Sequence, residues 1–126
     1  MQIYQVDAFT DRIFSGNPAG VCILPAEKIE DDELLQNIAA EVNASETAFL
    51  SGQKGEYRLR WFTPETEVKL CGHATLSASH ILWETRIEAR SNKITFNTLS
   101  GQLFARYIQG KIELDFPIYE VKEITR

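Results

Sequence analysis

"LCGHATLSASHILW", residues 70–83, is the stretch on which the fold turns. It opens with a thiol, a glycine and an imidazole, then becomes almost wholly small or apolar. From Ala74 to Trp83, Ala, Leu, Ile and Trp run round much of a helical circumference, and only Ser77, Ser79 and His80 interrupt them. A helix with so little polar face belongs inside a domain rather than on its surface. Its start is where chemistry could sit. The first four N–H groups of a helix have no intrahelical partner, and a glycine lets an anion come close to them. Gly72 and His73 are therefore candidate binding groups, and Thr75 could add a hydroxyl. The plainer alternative is a tight turn at Gly72, a small core residue at Cys71 and a polar cap at His73.

Strands surround this rod. Alternation or short apolar runs predict strands over residues 2–8, 21–24, 45–51 and 56–62. In the last of these Tyr57, Leu59 and Trp61 face one way and Arg58, Arg60 and Phe62 the other. Three more alternating segments, 93–99, 102–108 and 111–116, are separated by Ser100-Gly101 and Gln109-Gly110. Gly52 to Gly55 reads as a turn. Between residues 30 and 42, Leu34, Leu35, Ile38, Ala39 and Val42 share one helical face behind the acidic first turn Asp31, Asp32 and Glu33, where the helix dipole favours anions. The expected fold is α+β: a curved, mostly antiparallel sheet wrapped around a central apolar helix, with one amphipathic helix outside.

The totals agree. At 126 residues there is room for one domain, so residues 1–126 read as a single unit. A net charge of −5 argues against nucleic acid, and the apolar runs are too short to span a bilayer. The start, "MQIYQVDAFT", has no basic segment followed by an apolar one, and Cys22 and Cys71 form no metal-type pair. A cytoplasmic setting with reduced thiols is the expectation. His73 and His80 lie two helical turns apart, too far for one metal ion, and no third ligand is evident.

Glu46, in "NASETAFL", is the candidate proton carrier. A carboxylate at the edge of an apolar strand can be partly desolvated toward a useful pKa, although an outward-facing strand glutamate is the ordinary alternative. Asn17, before Pro18, reads as a turn residue or as a side-chain amide placed in a cleft.

Taken in order, "DAFTDRIFSGNPAGV", "NASETAFL", "RWFTPETEVKLCGHATLSASHIL", "FNTLSGQL" and "LDFP" closely resemble the phenazine-biosynthesis PhzF-like family, of the diaminopimelate-epimerase-like fold. The resemblance runs to about Pro117. It implies the first of two similar lobes, each a barrel-like sheet around a central helix, with the active site between them. It implies an isomerase, the family's founding activity being isomerisation of a dihydro-hydroxyanthranilate, and it implies no metal or organic cofactor. By resemblance Glu46 is the acid/base that moves a carbon-bound proton, and Gly72 and His73 line the pocket of a small carboxylic acid. Ser45, Asn17 and Thr75 are the further expected substrate contacts. The cleft would be completed by a second lobe or by self-association, a homodimer being the simplest case. Two alternatives stand beside this reading. One is a racemase using the thiol of Cys71, as in related enzymes of the fold. The other is a catalytically incomplete lobe that binds small acids or forms oligomers.

Overall fold

The structure, a computed structural model, describes residues 1–6 and 18–115. Asn17, together with Asp7, Ala8 and Phe116 of the expected strands, lies outside the described residues. The elements are β1 (Gln2–Val6), β2 (Ala19–Ile23), α1 (Asp32–Val42), β3 (Glu46–Gln53), β4 (Glu56–Phe62), β5 (Glu67–Val68), α2 (Gly72–Glu84), β6 (Ile94–Thr98), β7 (Gly101–Ile108) and β8 (Lys111–Asp115). No helix among the described residues is long and apolar enough to cross a membrane.

All eight strands form one sheet in the order β1-β2-β3-β4-β6-β7-β8, with β5 paired on β4. The sheet is mixed. β2 with β3 and β4 with β6 are parallel, and the other pairs are antiparallel. Each parallel pair follows from a helix between its two strands, because a parallel return needs a crossover connection. The short β5 was not legible as a strand, since two residues cannot establish an alternation.

Two apolar layers follow from the alternation. On the inner face Val21, Ala48, Leu50, Tyr57, Leu59, Trp61, Phe96 and Leu103 pack round Ala74, Ala78, Leu82 and Trp83 of α2. On the outer face Cys22, Phe49 and Phe62 meet Leu35 and Ala39 of α1. The sheet thus curls round α2 as an axle and carries α1 on its back. The buried hydroxyls of α2 are satisfied within the helix: Ser77 Oγ donates to His73 O at 3.2 Å and Ser79 Oγ to Thr75 O at 2.9 Å. This i−4 back-bonding lets serines enter an apolar core without orphaned donors.

Three hairpins close with two-residue turns, the one between β6 and β7 at Leu99 and Ser100, one residue before the expected Ser100-Gly101. Lys54 (φ 55) and Gly55 (φ 81) join β3 to β4, and Gln109 (φ 50) and Gly110 (φ 80) join β7 to β8. Positive φ at both central residues of these two turns matches the strand twist, and the first turn, Gln53 to Glu56, sits one residue later than the "Gly52 to Gly55" expectation. Arg60 of β4, only 5% exposed, fastens α1 and β5 to the sheet. It donates to Glu67 at 2.9 Å, to Asp32 at 2.7 Å and to Ile29 O at 3.0 Å. Those carboxylates hold its guanidinium proton more firmly still, against the opposing effect of burial.

Candidate active site at the mouth of the axial helix

Glu46 is carried to the mouth of α2 by the end of α1. That helix stops at Asn43, whose left-handed backbone (φ 57) reverses the chain while its N–H donates to Ala39 O. Asparagine tolerates that conformation better than other non-glycine residues. Ala44 is buried just after it, and β3 begins at Glu46 beside Ala19 of β2. The "SETAF" block therefore starts against the end of the "GNPAG" loop. Ser45 N donates to Pro18 O at 3.3 Å, and Ser45 Oγ lies 3.4 Å from the same carbonyl.

The carboxylate does not point to the outer wall. Glu46 Oε1 accepts from Ser45 Oγ at 3.0 Å and stands 3.7 Å from His73 Nδ1. The imidazole is about nine-tenths covered (10% exposed), and the carboxylate is partly open at 28%. Both of these contacts fall on Oε1.

Helix α2 starts at Gly72, with Cys71 as its N-cap in extended conformation (φ −152, ψ 103). Burial pushes the Cys71 thiol above its ordinary value of 9.0 and the charge of Glu46 pushes the same way, while the backbone N–H groups of Ala74 and His73 pull it down. The Cys71 side chain makes no capping hydrogen bond. Cys22 lies elsewhere, wholly buried on the outer face, and burial pushes its thiol up to about 11. At pH 7 to 8 both thiols stay protonated. We expect iodoacetamide to modify them far more slowly than an exposed cysteine, with the rate climbing only as pH passes 9; full modification within minutes at pH 7.5 would contradict this.

Thr75 departs from its expected role. Its hydroxyl donates to Cys71 O at 2.7 Å and accepts from Trp61 Nε1 at 3.0 Å, in a side chain with no exposed surface. A hydroxyl has one proton to give, and here the backbone holds it. Thr75 locks the helix start to β4 instead of reaching into the opening. Thr75→Val keeps the shape and leaves the Trp61 N–H buried without an acceptor, which costs about 1–3 kcal/mol. Urea unfolding checks this, and an unchanged midpoint would refute the lock. Trp61 and Pro18, the partners that organise this corner, were missed in the sequence. Trp61 was legible as an inward-facing strand residue, but nothing in its spacing marked its indole as a partner of the helix cap.

Glu46, Ser45, Cys71, Gly72 and His73 thus converge, with Thr75 behind them. A curled sheet on an axial helix, with a carboxylate and an imidazole at the helix mouth, defines a lobe of the epimerase-like class. The chain belongs to the PhzC-PhzF family of phenazine biosynthesis-like proteins, whose family model matches residues 6–126. It is 54% identical over 121 residues to an uncharacterized isomerase of Halalkalibacterium halodurans, covering 96% of this chain and 45% of that protein. An uncharacterized isomerase of Pseudomonas aeruginosa is 50% identical over 117 residues, covering 93% of this chain and 44% of that protein. A crystal structure of a PhzC/PhzF protein from Clostridium difficile superposes with a TM-score of 0.76 at 46% identity, covering 91% of this chain and 43% of that one. The chain therefore spans a little under half the length of these relatives and represents an isomerase-type family.

Proposed function

We propose that the mouth of α2 is the proton-transfer site of an isomerase acting on a small carboxylic acid without metal or organic cofactor. The observation that carries this reading is Glu46 Oε1 at 3.7 Å from His73 Nδ1, at the start of a buried helix. Ser45 and His73 occupy Oε1, which leaves Oε2 as the basic atom. Glu46 removes a proton from the carbon next to the substrate carboxylate, and the C–H electron pair stays on the substrate as an enolate. The protonated Glu46 then returns the proton to another carbon or another face, so atoms and charge balance with no co-reactant. His73 and the backbone around Gly72 supply the donors that stabilise the enolate oxygen. Ser45 orients the carboxylate.

A second lobe faces this mouth in the proposal, contributed either by a second copy or by the region that matches the rest of the relatives. Among the described residues the sheet ends at β1 on one side and β8 on the other, and a second lobe could join at either. The thiol alternative is disfavoured, because a base that is protonated at neutral pH is a poor proton acceptor. The binding-module alternative differs in one readout. Light scattering first identifies the assembly, and that assembly is incubated in D2O with carboxylic acids bearing an acidic neighbouring C–H. The proposal predicts deuterium entering that position. Binding without any deuterium uptake would support the module and reject the isomerase.

A further inference from the structure

We infer that Trp61 is a positioning residue for the mouth of α2, holding the helix start that carries His73 against the strand that carries Glu46. The inference rests on the proton-transfer reading for its catalytic consequence, and on geometry alone for the pin itself.

The reacting pair belongs to two different elements. Glu46 opens β3 and His73 lies in the first turn of α2, with Glu46 Oε1 and His73 Nδ1 3.7 Å apart. That separation depends on how the helix start is seated on the sheet, and Trp61 joins the parts of the seat. Its backbone in β4 pairs on one side with Ala48 of β3, two residues along from Glu46. On the other side it pairs with Val68 of β5, three residues before the N-cap Cys71. Its indole, in a side chain 1% exposed, donates to Thr75 Oγ1 at 3.0 Å. Thr75 passes the contact on. Its hydroxyl donates at 2.7 Å to Cys71 O, the carbonyl that also takes the Thr75 N–H at 3.1 Å.

This differs from the other back-bonded hydroxyls of the helix. Ser77 and Ser79 also donate to carbonyls one turn earlier, but among the described residues neither takes a donor from the sheet. The doubly engaged hydroxyl is the one in the first turn, beside the residues that face the opening. A hydroxyl that gives its only proton to the backbone and accepts from a buried indole has its direction fixed at both ends. Helix ends otherwise fray, and such opening is local, needing no loss of the rest of the fold. Proton transfer is sensitive to it, since a displacement of about 1 Å at the reacting groups can cost roughly a hundredfold. Trp61 thus acts through Thr75 and the helix start, without touching the substrate.

The test breaks the bond from both sides. Trp61→Phe removes the indole N–H and keeps an aromatic ring, Thr75→Val removes the hydroxyl and keeps the indole, and Thr75→Ser keeps the hydroxyl. Amide hydrogen exchange on the ¹⁵N-labelled chain compares position 75 with Leu24, whose N–H donates to Leu50 O at 2.8 Å away from the helix start. Protection at position 75 is expected to fall about tenfold or more in Trp61→Phe and in Thr75→Val, as loss of a buried hydrogen bond does. Leu24 should keep its protection, and Thr75→Ser should match the native chain. Deuterium uptake into the substrate, per folded molecule, should fall roughly tenfold or more in the same two variants and persist in Thr75→Ser. If Trp61→Phe does not fold, the two Thr75 variants carry the comparison. The inference is overturned if protection falls equally at 75 and at Leu24, which marks a general loss of stability, or if position 75 stays as protected as in the native chain. It is also overturned if uptake is unchanged in a variant that has lost the protection. A native protein that takes up no deuterium rejects the proton-transfer reading instead, and the exchange comparison then decides the pin by itself.

Discussion

Gly52→Ala is expected to destabilise the protein by about 3–5 kcal/mol, a large fraction of the margin by which a domain of this size is folded. Gly52 lies in the β3–β4 hairpin directly opposite Tyr57, with φ of +155. A methyl group there would stand 2.2 Å from Glu56 O and 2.7 Å from Tyr57 Cα. Both atoms are backbone, so no side chain can turn aside, and the two strands would have to part at a paired position. The damage spreads from there. Tyr57 Oη and Gly55 N both donate to the buried carboxylate of Glu88, which ties this hairpin to the segment after α2. Urea unfolding measures the loss. A midpoint close to the native one would mean that the hairpin can separate at Gly52 at little cost.

Much of the fold was legible because burial leaves a periodic trace. The inward set Tyr57, Leu59 and Trp61 and the outward set Arg58, Arg60 and Phe62 fall as the alternation of β4 predicts, the first set in the core round α2. Helix α2 was legible as buried because its apolar residues run all round. What escaped has no periodic trace. The pairing of β2 with β3 and of β4 with β6 depends on how helices cross the sheet, and the two residues of β5 are too few to alternate. At the site, the residue types Glu46, Gly72 and His73 were legible, and so was their chemistry. Their partners were not. That Thr75 would spend its proton on Cys71 O is a matter of sub-ångström packing that no spacing encodes.

Glu46→Gln carries the largest functional effect. Glutamine has the size of glutamate and can still accept from Ser45, and the side chain it replaces is partly exposed with few contacts. Stability should therefore change by less than about 1 kcal/mol, as for other surface substitutions. An amide cannot take up a proton at neutral pH, so removing the carboxylate should cost about 10²–10⁴-fold in proton transfer. Substrate binding should persist, because the donors round Gly72 and His73 are untouched. Deuterium uptake from D2O into the C–H next to the substrate carboxylate, compared between the native protein and Glu46→Gln in the same assembly, reads this step directly. Uptake in the native protein and a loss of at least a hundredfold in the variant is the predicted result, within that range. Equal uptake in both would contradict a proton carried by Glu46.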